Sequence, residues 1–125
     1  MDIQLEQWTE VMVLRVAGDM RLWGRPEERN RLPETFQSRL APGRTLLVLS
    51  LRGLKLVDTM GITALVDLLI KCEAQAITVR TVLPGGVPGQ ALRAIRIFDR
   101  YREFPDEHAA IRAAEAERKV SASTG

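Results

Sequence analysis

Few side chains in this sequence are equipped for chemistry, and their number narrows the kinds available. There is one cysteine, Cys72, and one histidine, His108. A Ser-His-Asp triad has only His108 to run through, and a two-histidine metal site cannot form. A disulfide within the chain is excluded. The carboxylates are scattered and give no pair that can be placed together for acid/base work. Hydroxyls remain. Thr59, behind Asp58 at the start of a helical apolar pattern, reads by itself as an ordinary first-turn threonine. Asp58 suits an N-cap, with its carboxylate accepting from the orphan N–H groups of the first turn. Gly61 in the same turn is unusual inside a helix and points to close packing or close approach.

Other groups carry weaker signals. The run Gly85-Gly86-Val87-Pro88-Gly89 has the glycines of a phosphate loop but no following lysine, so the Walker pattern fails. Gly86-Val87-Pro88-Gly89 also fits a Gly-x-x-Gly nucleic-acid clamp; a plain connecting loop is the expectation. Arg93, Arg96 and Arg100 fall on one helical face near Arg102 and read as a solvated basic face. Aromatic residues make up 5% of the chain, too few for a base-stacking platform. Trp8 and Trp23 read as core or loop anchors. Cys72 is expected to be buried or partly buried, and His108 to lie on the surface.

The elements that position these residues follow from periodicity. Ile3 to Trp8 alternates as a half-buried strand, and Val11 to Ala17 is more fully apolar. Thr9-Glu10 makes a tight hairpin between them, and Gly18-Asp19 ends the second strand. Pro26 suits the first position of a helix running to Leu40, with Leu32, Phe36 and Leu40 on one face. Pro33 either delays the start of that helix or kinks it. Thr45 to Leu51 is nearly continuous in apolar residues, as a central strand covered on both faces would be. From Thr59 to Ala74 the spacing is helical, with Ile62, Leu65, Val66, Leu69 and Cys72 or Glu73 inward. This leaves Met60, Thr63, Asp67, Ile70 and Lys71 off the core face. Ala76 to Leu83 is a strand, Gln90 to Phe98 a short helix, Tyr101 to Phe104 a short strand, and a last helix runs from Pro105-Asp106 to about Lys119. The order ββαβαβαβα predicts an α/β layer with right-handed crossovers and parallel neighbours after the first hairpin.

Composition agrees with one ordinary globular domain. The chain has 125 residues, of which 46% are hydrophobic and 27% charged. Eighteen basic against sixteen acidic side chains, a net +2, are too even to imply nucleic acid. The N-terminus lacks a basic start and an apolar run, and no stretch suits a bilayer span. A cytoplasmic, reduced setting is expected, with the domain over 1–119 and a flexible polar tail at 120–125.

The segment from Val48 to Leu65 now gains a wider meaning. An apolar strand, a short connection and Asp58-Thr59-Met60-Gly61-Ile62 at a helix start resemble the signature of the STAS family, the sulphate-transporter and anti-sigma-factor-antagonist domains. Gly18-Asp19-Met20 resembles the family's segment after its second strand. Phe104 to Ile111 resembles its last strand and acidic helix start, so the likeness runs from about Ile3 to Ala114. Ser50, Arg52 and Met60 depart from the family's usual residues. The resemblance implies an α/β, STAS-like fold: a mixed, mostly parallel sheet of four to five strands with an N-terminal antiparallel hairpin and about four helices. It implies a stand-alone anti-sigma factor antagonist rather than an enzyme. Such a protein sequesters an anti-sigma factor serine/threonine kinase and is switched off by phosphorylation, which a phosphatase reverses. The phosphoacceptor carried over is Thr59. Asp58, Thr59, Met60, Gly61, Thr63, Asp67 and Ile70 form the expected partner-binding surface. No cofactor, metal, direct nucleic-acid contact or membrane contact is expected, and the protein is a monomer or homodimer. The alternatives are a scaffold subunit of a stressosome-like or lipid-transport assembly, and a weak nucleotide-binding module.

Overall fold

The computed structural model describes residues 1–8 and 10–124, with side chains described to residue 117. Thr9 of the expected hairpin turn therefore lies outside the described residues, as do the side chains of the expected tail at 120–125.

The core is built on one apolar ribbon. Strand β1 (Asp2–Gln7) pairs antiparallel with β2 (Val11–Met20), and the Trp8 N–H donates to the Val11 carbonyl across the turn at 2.8 Å. β3 (Leu46–Ser50) runs parallel to the first half of β2, from Val11 to Arg15. The second half of β2 takes a different parallel partner, β4 (Leu54–Val57). The register shifts between Gly18 and Asp19, where Gly18 has φ +85°, a value that favours glycine. β2 therefore runs on past Gly18-Asp19 instead of ending there, and β4 adds a strand where the sequence suggests a plain connection. β5 (Thr78–Val82) and the two-residue β6 (Arg102–Glu103) complete a six-stranded sheet in the order β1-β2-β3-β5-β6, with β4 off that path.

All five residues of β3 are buried, because helices cover both faces of the sheet there. Leu47 and Leu49 point into the larger cluster, with Met12, Leu14, Leu32, Phe36 and Leu65. Leu46 and Val48 point the other way, with Val11, Val13, Val82, Ile111 and Ala114. Helix α1 (Pro26–Arg39) and helix α2 (Thr59–Ala74) pack together over the first face. α1 starts at Pro26, where the missing N–H leaves no bond unmade, and continues through a buried Pro33. Helix α4 (Glu107–Thr124) covers the second face. Asp106 opens it by accepting the Ala109 N–H at 2.8 Å.

The glycine-rich segment departs most from expectation. Gly86 to Arg93 is helix α3, followed by a 3-10 turn, Arg96–Arg100. Composition suggests a loop up to Gly89 and a helix from Gln90 to Phe98. Gly89 is instead pressed so tightly on the connection between β5 and α3 that an added Cβ would lie 2.0 Å from the Pro84 carbonyl oxygen. The glycine here serves packing, not flexibility.

The arginines in this region are mostly engaged. Arg93 pairs with Glu103 and Arg100 with Glu73, while Arg102 stacks over the Phe104 ring, 4.8 Å from its centroid. Cys72 is fully buried, and burial pushes its thiol up to about 12. It is a core side chain rather than a reactive one. His108 is exposed. Among the described residues no cluster of metal-ligating side chains occurs, and no helix is long and apolar enough to cross a membrane.

Candidate functional site

Asp58 and Thr59 sit where β4 turns into α2, at the C-terminal end of the parallel strands. Asp58 is extended, with φ −112° and ψ −176°, and is the N-cap of α2. Its Oδ1 accepts the Gly61 N–H at 2.9 Å, and its own carbonyl accepts the Ile62 N–H at 3.0 Å. This is the cap that the sequence predicts.

The same carboxylate does more than cap. Oδ1 also accepts the Leu22 N–H at 3.0 Å, and Oδ2 accepts the Trp23 N–H at 2.9 Å. Asp58 thus staples the loop after β2 to the first turn of α2. Burial raises its pKa, but the N–H groups of Leu22, Gly61, Trp23 and Met60 outweigh that and hold the carboxyl below its usual value. A carboxylate so occupied is ionised at neutral pH and is a poor general base for the neighbouring hydroxyl.

Gly61 explains how the helix reaches this position. A Cβ there would lie 2.1 Å from the Met20 carbonyl oxygen and 2.9 Å from Val57 Cγ2. The absent side chain lets the first turn of α2 press onto the ends of β2 and β4. It also sets the helix phase. The buried stripe is Gly61, Ala64, Leu65, Leu68, Leu69 and Cys72, whereas Ile62 and Val66 are half-buried. The expected inward face, which included Ile62 and Val66, is therefore rotated toward Ala64 and Leu68.

The remaining predicted site residues divide by exposure. Thr59 is the first helical residue and is exposed. Met60 is half-buried and packs against the core cluster. The Thr63 hydroxyl donates to the Thr59 carbonyl at 2.9 Å. Asp67 pairs with Arg29 of α1 at 3.7 Å. Ile70 is 54% exposed and, with Asn30, Pro33, Glu34, Asp67 and Lys71, lines a groove between α1 and α2. Thr59, Thr63, Asp67 and Ile70 thus mark an outward strip of α2, while Asp58 and Gly61 are structural supports beneath its start.

One neighbour was not legible from the sequence as a site residue. Trp23 reads there as a core or loop anchor, yet it is 78% exposed, and Trp8 is 42% exposed. Trp23 lies in the loop that Asp58 holds. Beside it, Arg21 and Asp19 form a bidentate pair, and these hydrogen bonds together with the Arg21 N–H lower the Asp19 carboxyl to about 2. The signal in the sequence was Trp23-Gly24 directly before Arg25, and the structure places Gly24 at φ +74°.

The site thus holds an exposed hydroxyl without a free base, an outward helix strip and an exposed indole. It is suited to docking, and to receiving a group that another protein transfers.

Comparisons with known proteins agree with this architecture. The STAS domain family model matches residues 2–110. No curated protein matches the sequence. An anti-sigma factor antagonist from Mycobacterium paratuberculosis has a similar structure, with 15% identity and a TM-score of 0.70 over 91% of this chain and 93% of that one. The Bacillus cell fate determinant SpoIIAA, in its phosphorylated form, gives 20% identity and a TM-score of 0.59 over 90% of this chain and 99% of that one. A murine anion transporter, Slc26a9, gives 18% identity and a TM-score of 0.71, with 89% of this chain spanning 18% of the transporter. At these identities the likeness is one of fold. With the family model covering most of the sequence, the chain belongs to the STAS domain family.

Proposed function

We propose that this protein is an anti-sigma factor antagonist that binds an anti-sigma factor serine/threonine kinase and is switched off by phosphorylation at Thr59. The carrying observation is the exposed Thr59 at the first position of α2, directly behind Asp58, in the segment that resembles the family's motif and lies within the family match. Two structural neighbours that are themselves anti-sigma factor antagonists, one of them known in a phosphorylated form, support the reading.

The transfer balances simply. The Thr59 Oγ1 attacks the γ-phosphorus of ATP held by the kinase, an O–P bond forms, and ADP leaves. The hydroxyl proton goes to a base of the kinase, since Asp58 is occupied by backbone donors. A phosphatase returns the hydroxyl by hydrolysis. The new group adds a charge of roughly −1.5 to −2 at neutral pH. The nearby N–H groups of Gly61 and Ile62 already have acceptors in Asp58. The phosphate therefore projects from the surface, helped by the helix dipole, and its charge acts on the docked partner more than on the fold. In this reading the protein works in the cytoplasm as a binding module, as a monomer or homodimer, with the outward strip Thr59, Thr63, Asp67 and Ile70 at the contact and Met60 half-buried beside it.

Incubation with the cognate kinase and ATP should add the mass of one phosphate, read by intact-mass spectrometry. Peptide mapping should place it on Thr59, and Thr59→Ala should stay unmodified. A phosphate on another residue, or no shift at all, would refute the switch.

A further inference from the structure

Of the five large apolar side chains left exposed among the described residues, three stand at the C-terminal edge of the parallel strands. Trp23 follows β2, Leu56 lies in β4 and Val87 follows β5, with exposures of 78%, 45% and 76%. Thr59 sits at the same edge. Trp23 is the most exposed of the five, and its backbone is fixed by its N–H bond to Asp58 Oδ2. A large aromatic held outward on a pinned backbone loses little conformational freedom on binding, which is the property of interface anchors.

The charges around it have a sign. Segments 19–25 and 52–59 carry Arg21, Arg25, Arg52 and Lys55 against Asp19 and Asp58. The two carboxylates are occupied, Asp19 by Arg21 and Asp58 by backbone N–H groups. Arg52 lies in the field of Glu107, and Glu27 follows Arg25 in the first turn of α1. Arg25 and Lys55 are exposed and have no ion-pair partner among the described residues. The edge therefore carries an exposed indole and two uncommitted cations, Arg25 two residues after Trp23 and Lys55 in β4.

We infer that Trp23 is the anchor of the docking surface, and that the partner offers an apolar slot for the indole rimmed by carboxylates that face Arg25 and Lys55. This rests on the function proposed above and names the partner's chemistry. It also supplies the direction of the switch. A phosphate of roughly −2 at Thr59 offsets the local cationic excess and faces an acidic rim, so the complex is repelled instead of strengthened.

The test is a binding titration with the purified kinase that phosphorylates Thr59, at low and raised salt without ATP hydrolysis. Trp23→Ala should weaken binding at least tenfold, and Trp23→Phe should recover part of the loss. Lys55→Glu should weaken binding severalfold, mainly by slowing association, and raised salt should weaken the wild type similarly. Circular dichroism melts of the variants should match the wild type, since both side chains are exposed. Wild-type binding that is unaltered in Trp23→Ala and Lys55→Glu would overturn the anchor while leaving the proposed function standing. No binding by the wild type would overturn both. Self-association of the wild type that Trp23→Ala abolishes, with kinase binding intact, would assign the patch to a second copy and overturn the inference.

Discussion

Replacing Asp58 with alanine should lower the free energy of unfolding by about 2–4 kcal/mol, an effect far larger than the loss of a surface carboxylate. Two contributions set that figure. Loss of the helix cap is worth about 1 kcal/mol. The part-buried Leu22 N–H, 3.0 Å from Oδ1, loses its acceptor as well, and an orphaned donor costs roughly 1–3 kcal/mol. The Trp23 N–H is exposed and turns to water at little cost. Asp58→Asn keeps one acceptor oxygen and should fall between the wild type and alanine.

The same residue predicts a pH dependence. The folded-state pKa of Asp58 lies below its ordinary value of 3.8. The unfolded chain therefore binds more protons in that range, and stability rises with pH there. The contribution is complete above the ordinary value and fades as pH falls through the lower, folded-state value. Urea unfolding at neutral pH and near pH 3 should show a gap between wild type and Asp58→Asn that narrows on acidification. A gap that widens in acid would contradict the staple.

Gly61→Ala should be as damaging, at about 3 kcal/mol or more. The new methyl would lie 2.1 Å from the Met20 carbonyl oxygen, a backbone atom that no rotamer change can move. Met20 is also held in place, because β2 pairs it with Val57 of β4. The helix must therefore lift from the strand ends, which opens the contact beneath Ala64 and Leu65. Alanine's better helix propensity returns about 1 kcal/mol at most and does not offset this. Gly85→Ala provides the control, since a Cβ there meets nothing within 4 Å. Thermal or urea unfolding should separate the two clearly. Equal stability for both variants would mean that α2 does not bear on Met20 in the way described.

These two residues also show where sequence reasoning succeeds and where it stops. The cap at Asp58 and the tight approach at Gly61 are local signals, visible within four residues of the helix start. The continuous apolar run of β3 is equally direct, because burial on both faces leaves no alternation to misread. The second half of the Asp58 carboxylate's work is different. Its partners Leu22 and Trp23 lie 36 and 35 residues away, and nothing in the local pattern announces them. β4 escaped notice for a related reason. It is four residues long, and its pairing depends on the shift at Gly18 that lets β2 change partners midway. The start of α3 was hidden by its glycines, which composition reads as loop and which packing requires at Gly89. Trp23 was placed in its loop, but its exposure was hidden because aromatic residues are usually buried, and an exposed one shows only when the loop's geometry is known.

The central claim is that one phosphate on Thr59 decides whether the partner stays bound. The most direct measurement is a titration of the cognate anti-sigma factor kinase, by calorimetry, with unmodified protein, Thr59-phosphorylated protein and Thr59→Ala. Unmodified protein and Thr59→Ala should bind alike, and the phosphorylated form should bind at least a hundredfold more weakly with an unchanged circular dichroism spectrum. Equal affinity of the phosphorylated and unmodified forms would contradict the account.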